Sequence, residues 1–466
     1  MPRRMHDNKR LLFLYLDTGN GHAQPARELA RQCAGKSGIE IFLRHGFAPS
    51  NKFQRFFYES LYSLSMRYLR PAYSLFYEAT KPRVVLRVLA FLLARRNRAY
   101  MEELIRSLGI TEIVCFHFAV TPIIVAALKS LHKKLPLTVI VTDPFTAHPA
   151  WFLYGEYDFV DVRYVVFSEQ MKLQAHKTYG IRSCRVFPFI TAPDFFARRA
   201  VPADAPAYDR ACTGGGGNAA VDAAAGIAEA TGIADSADAH AFKVLISGGG
   251  EGLPCAEKLV RLFIRDFMRG TRDGSVRVEK SGVRAGRVEL SVVCGRNRPQ
   301  KRRLDALHAK YLDFPLRIYG FVDNMSELLL EADCHISKAG ASTVFEAQAA
   351  AKPLILTDYV HGQELGNVRY VVQTGRGRFI RKSSDVLAAV YDLARTSQTD
   401  IPAADRTSGR KSLAGGIRGR IDDTVGTRIE AVGGGAADQS RPSLADFILH
   451  TACSRRSLLF PYPHTE

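Results

Sequence analysis

A chain of 466 residues with 47% hydrophobic side chains has material for roughly two or three globular domains, which excludes an intrinsically disordered protein. A formal net charge of +18 calls for an anionic partner, whether nucleic acid, a phosphorylated small molecule or an acidic membrane surface, and charge alone does not choose among them. The eight cysteines stand singly with no CxxC pair, so a zinc or redox site is not expected, and no apolar run reaches the about 20 residues of a membrane span.

In chain order, the basic start MPRRMHDNKR leads into LLFLYLD with no small-residue cleavage site, so a strand rather than a secretion signal is expected, and with it a cytoplasmic protein. ARELARQCA then has a helical pattern, IEIFLRH reads as a strand, and a long helical region precedes EIVCFHF and LTVIVTDP. Such alternation implies βαβ units and a parallel sheet, here assigned to an N-terminal domain over 1–191. The Ala-, Gly- and Asp-rich stretch 192–242 offers few large apolar residues to bury and reads as a low-complexity linker or insertion. A second series follows over 243–395, through KVLISGGGE, VELSVVCG, LRIYGF, ADCHISK and PLILTDY with helical patterns between them, and predicts a second doubly wound half. A flexible tract is expected over 396–442, and 443–466 can form a docked C-terminal helix.

Four segments carry chemistry. In DTGNGHAQPARELA, Gly19, Asn20 and Gly21 mark a βα turn where the backbone can approach a ligand, and His22 stands at its mouth as a proton acceptor or as a capping histidine. In VIVTDPFTAHPAWF, Thr142 and Asp143 end a strand, followed by His148 and Trp151; Asp143 can orient His22, share its role, or simply hold the loop. The most specific segment is ISKAGASTVFEAQAAAKPLILTDYVHGQELGN. There Gly340, Ala341, Ser342 and Thr343 enter a helix and can cradle a diphosphate without a metal, Glu346 is placed for a ribose, and Gln363 and Glu364 suit sugar hydroxyls. In ISGGGEG, Ser247, Gly248, Gly249 and Gly250 repeat the glycine-turn logic at the first strand of the second half.

TGNGHAQPA, TDPFTAHPAWF and SKAGASTVFEA with PLILTDYVHGQELGN resemble the monogalactosyldiacylglycerol synthase and processive diacylglycerol glucosyltransferase group of glycosyltransferase family 28. The resemblance implies an α/β GT-B fold, two Rossmann-like domains facing a cleft, with an acceptor-binding N-terminal half and a nucleotide-sugar-binding C-terminal half. It implies inversion at the anomeric carbon with no metal or cofactor beyond the UDP-sugar co-substrate. By the same resemblance His22 is the base; from their place at strand ends and turns, Asp143 is expected as a second catalytic residue, and Gly21, His148 and Trp151 are expected to face the acceptor. Ala339 to Thr343 would hold the diphosphate, Glu346 the ribose, Gln363 and Glu364 the hexose, and the backbone near Phe321 and Val322 the uracil.

Residues 51–100 set ten basic side chains, among them Arg83, Arg87 and Arg95, against Glu59 and Glu78, and interleave them with Phe and Tyr. Basic residues near an anionic leaflet and aromatics at the interface suit a peripheral protein on the cytoplasmic face of the cell membrane, with a diacylglycerol-type lipid as acceptor; the bland alternative is a solvated helical hairpin. The expected activity is transfer of a hexose from a UDP-hexose to that lipid. The alternatives are a peptidoglycan-type transfer of N-acetylglucosamine and a non-catalytic basic membrane protein. Nucleic acid is not an expected partner, since no motif for it is present.

Overall fold

The computed structural model describes residues 9–18, 20–34, 36, 38–60, 70–153, 160–196, 241–272, 288–398 and 443–450. Among these residues, twelve strands form two six-stranded, wholly parallel sheets. The first holds β1 (Lys9–Tyr15), β2 (Ile39–His45), β3 (Glu112–Cys115), β4 (Leu137–Ile140), β5 (Val162–Val166) and β6 (Cys184–Val186), in the order β2-β1-β3-β4-β5-β6. The second holds β7 (Phe242–Ser247), β8 (Val288–Val293), β9 (Leu316–Tyr319), β10 (Cys334–Lys338), β11 (Leu354–Asp358) and β12 (Gly377–Phe379), in the order β12-β11-β10-β7-β8-β9.

β1 shows why the apolar runs become central strands. Its side chains alternate, so Leu12 and Leu14 join one core cluster while Leu11 and Phe13 join the cluster on the opposite face, and all four are fully buried. In each sheet the strand order reverses beside its first strand, between β1 and β3 and between β7 and β10, which opens a crevice beyond the carboxyl ends. These two crevices face each other, and the arrangement is a GT-B fold.

The expected boundaries shift at both ends of the low-complexity tract. Residues 192–196 are not linker, because the short 3₁₀ turn Pro193–Phe195 buries Phe195 against Leu245, Val293, Leu329 and Ala350 of the second half. Residues 197–240 lie outside the described ones, as do 399–442 and 451–466. The C-terminal helix Leu444–His450 is opened by Ser443, whose hydroxyl accepts the Asp446 amide at 3.0 Å, and returns to the N-terminal sheet. Leu444, Phe447 and Ile448 there join Leu11, Phe13, Leu29 and Cys33, and Lys36 pairs with Asp446 at 2.6 Å.

Candidate active site

The two crevices merge into one cleft of about 1230 Å³, and its functional groups sit just past strand ends: His22 after β1, His117 after β3, Thr142 and Asp143 after β4, Gly248 to Gly250 after β7, Lys338 and Gly340 at the end of β10.

His22 lies in the first turn of the helix Asn20–Cys33. Its Nδ1 is 2.9 Å from the Phe116 carbonyl oxygen and 2.8 Å from the Thr142 hydroxyl. A carbonyl can only accept, so Nδ1 carries the proton and Nε2 presents its lone pair to the cleft. Burial lowers the imidazole pKa to about 4, against the raising effect of the Phe116 hydrogen bond, so the ring is neutral and a base at neutral pH. Pro25 sits in the second turn of the same helix, where its missing N–H removes the i→i−4 hydrogen bond to the Gly21 carbonyl at the cleft wall.

Asp143 does not orient His22, a task that falls to Phe116 and Thr142. Instead it accepts the Trp151 indole N–H at 2.8 Å, and burial, with Glu364 adding to it, raises its pKa to about 7. Trp151 is fully buried and does not line the cleft. His148 lines it, yet both ring nitrogens are used: Nδ1 accepts the Ala150 amide at 3.2 Å and Nε2–H donates to the Tyr77 carbonyl at 3.2 Å. Trp151 and His148 therefore shape this wall of the cleft without offering it a free polar atom.

On the other side, the helix Ala341–Ala349 starts at Gly340 with no side-chain cap, so its first amides point into the cleft unmatched. The Ser342 hydroxyl beside them is buried without a hydrogen-bond partner. Lys338 adds a cation and pairs with Glu364 at 2.6 Å; the second Glu364 oxygen accepts the Val360 amide at 2.8 Å, so Glu364 is a support for lysine and loop rather than a free sugar contact. Gln363 takes the Tyr73 hydroxyl on Oε1 at 3.0 Å and keeps its amide donors. Glu346 is buried one turn behind the cleft-lining Ser342 and Thr343 and does not itself line the cleft; it accepts the Gln24 amide from the opposite half at 2.9 Å, and burial raises its pKa to about 7.

Gly248 and Gly249 line the cleft, and a Cβ at Gly248 would meet the Gly252 carbonyl oxygen at 2.2 Å, so only glycine fits that turn. Ser247 turns away to hydrogen-bond His335 at 2.8 Å, and Ala339 is wholly buried, its carbonyl holding Asn367. Phe321 and Val322 do not line the cleft; the exposed Phe321 ring lies under Arg296, which does. Sequence reasoning missed Lys338, Arg296, His117 and Gln24. Lys338 had a signal, a lone lysine two residues before the glycine of an anion-binding turn.

Beyond His22 the cleft turns apolar, lined by Phe57, Tyr58, Phe76, Leu86, Leu89, Leu93 and Phe118 from the helices Arg70–Ala79 and Arg83–Ser107 and their surroundings. Outside it, Phe53, Leu75, Val84, Val88 and Phe91 are strongly exposed beside Arg83, Arg87 and Arg95. No helix among the described residues is long and apolar enough to cross a membrane.

Residues 22–189 match the family model for monogalactosyldiacylglycerol synthase, and residues 256–415 match that for the glycosyltransferase family 28 C-terminal domain. A probable chloroplastic monogalactosyldiacylglycerol synthase of Glycine max is 26% identical over 85% of this chain and 68% of its own length. The chloroplastic enzyme of Spinacia oleracea is 26% identical over 82% of this chain and 65% of its own. The chain thus spans about two thirds of the length of these relatives. Among solved structures, MurG of Acinetobacter baumannii is 14% identical, with 86% of this chain and 99% of that chain covered and a TM-score of 0.43.

Proposed function

Because the chain belongs to glycosyltransferase family 28, in its monogalactosyldiacylglycerol synthase group, we propose that it transfers a hexose, galactose foremost, from a UDP-sugar to the hydroxyl of diacylglycerol. The observation that carries this reading is the single two-sided cleft, with an uncapped helix end and a lysine on one side, an apolar aromatic channel on the other, and the free nitrogen of His22 between them.

His22 Nε2 takes the proton of the lipid hydroxyl as its oxygen attacks the anomeric carbon. The carbon–oxygen bond to the diphosphate breaks, and its electron pair leaves on the phosphate oxygen. That negative charge is met by the first amides of the helix Ala341–Ala349, the Ser342 hydroxyl and Lys338, groups already aimed before the reaction. Attack from the side opposite the leaving group inverts the anomeric centre. Glu346 receives ribose hydroxyls, and the Gln363 amide receives the hexose. The basic, apolar face of the helix Arg83–Ser107 suits docking on an anionic bilayer, each basic side chain near the surface contributing about 1 kcal/mol.

The test is UDP release from UDP-galactose, UDP-glucose and UDP-N-acetylglucosamine, with anionic vesicles that contain or lack diacylglycerol. Release that requires diacylglycerol and one hexose donor is expected. Release with UDP-N-acetylglucosamine alone, or none with any donor, overturns the reading.

A further inference from the structure

His117 enters the cleft beside His22, with ring centroids 4.5 Å apart and planes at 59°. Its Nδ1 accepts the Ala119 amide at 3.1 Å, so the proton of the neutral ring sits on Nε2. His22 has the opposite tautomer, fixed by the Phe116 carbonyl on its Nδ1. The two rings thus put a hydrogen-bond acceptor and a hydrogen-bond donor side by side.

No described residue receives the His117 Nε2–H. The ring is 2% exposed overall, stacked on Phe118 at 4.5 Å and bordered by Tyr58 and Trp151, and it reaches the cleft from an apolar wall. Open to the cleft and unmatched by any described residue, this donor is available to a molecule bound there. The proton transfer and the diphosphate cradle need nothing from it.

We propose that His117 is the residue that selects the acceptor lipid, its Nε2–H donating to an ester carbonyl oxygen of the molecule whose hydroxyl rests on His22 Nε2, an inference that rests on the lipid-acceptor reading above. Diacylglycerol is the complement of this pair, with a hydroxyl that donates and, on the neighbouring carbon, an ester whose carbonyl accepts. A dialkylglycerol, with ether oxygens in place of the esters, keeps the hydroxyl and the chains but lacks the carbonyl. Apolar walls alone separate such lipids poorly, whereas a buried donor left unpaired penalises the one that cannot accept.

The experiment compares kcat/KM for diacylglycerol and for the chain-matched dialkylglycerol, each in the same anionic vesicles with UDP-galactose, for the wild type, His117→Phe and His117→Gln. The wild type is expected to favour the ester by about five- to tenfold, the worth of one hydrogen bond to an uncharged group. In His117→Phe the ratio should fall to about one, and His117→Gln, which retains a side-chain N–H, should restore part of it. UDP-galactose affinity by calorimetry reports whether each variant is folded. A wild-type ratio of one, or a ratio unchanged in His117→Phe even where both rates drop, overturns the assignment of His117 alone. Failure of the wild type with both lipids and every UDP-hexose overturns the lipid-acceptor reading, and this inference with it.

Discussion

With Glu346 proposed at the donor ribose, donor binding is expected to depend on pH in a way that can be calculated. Its carboxyl, normally near 4.5, is raised to about 7 by burial, and the Gln24 amide at 2.9 Å only partly opposes that. Ribose hydroxyls donate hydrogen bonds and favour the carboxylate, so a bound donor pulls the pKa back down and releases a proton near neutrality. With a pKa near 7, about 90% of the free protein carries the acid at pH 6 and about 10% at pH 8, so the apparent Kd for a UDP-hexose should rise about tenfold from pH 8 to pH 6. The phosphates of a UDP-hexose do not titrate in this window. Calorimetry in two buffers of different ionisation enthalpy reads both the Kd and the released proton. Glu346→Gln should bind about tenfold more weakly at pH 8, having lost a charge-assisted bond, and should show no slope with pH. Asp143, also raised to about 7, contacts Trp151 rather than the donor side, so Asp143→Asn should keep the slope. Without donor, the raised pKa means that folding stability declines as pH rises from about 4.5 to about 7, because the unfolded chain ionises first. A wild-type Kd that stays flat from pH 6 to 8 with no proton released would refute the placement of Glu346 at the ribose.

His22→Ala should lower kcat by about 10²- to 10⁴-fold in the UDP-release assay. Because burial depresses the His22 pKa to about 4, the acid limb of kcat at saturating donor should lie near pH 4; a limb near 6.5 would mean a solvated base. Lys338→Met should weaken UDP-hexose binding by about 10- to 100-fold, since it removes a charge-assisted contact and strands Glu364, and calorimetry reads this directly. Phe447→Ala should cost about 3 kcal/mol by emptying the ring's place against Phe187 and the N-terminal sheet, seen as a lower Tm and a lower denaturant midpoint. An unchanged Tm in that variant would mean that the C-terminal helix does not hold the sheet.

The fold was legible because its signals are local. LLFLYLD, KVLISGGGE and PLILTDY are buried on both faces, as central parallel strands must be, and glycines follow two of them at βα turns. The low-complexity composition of 192–242 hid the few residues at its start that pack, because Phe195 is one apolar residue whose five partners lie in the second half. The closing helix was legible as a helix but not by its place, which depends on Phe187, Leu29 and Cys33 far upstream.

In the site, residue types were legible and partners were not. Glycine turns, an uncapped helix start and a histidine at a strand end each state a chemical capacity within a few residues of sequence. Which capacity is spent on the protein itself is decided across the fold. Asp143 and Glu364 are tied to Trp151 and Lys338, whereas the Nε2–H of His117, inside an apolar run that read as a strand, has no partner among the described residues. Glu346 and Gln363 meet Gln24 and Tyr73 across 322 and 290 residues. The helix Arg70–Ala79 also lays Tyr77 on Gly362, where a Cβ would come within 2.2 Å of the ring and where φ is +79°, so glycine there lets a helix of the N-terminal half rest directly on the loop after β11. The same helix exposes Leu75 outside the cleft and turns Phe76 into it. One helix thus joins the apolar side of the cleft to the loop that carries Gln363, a link set by the packing of two halves and by no single motif.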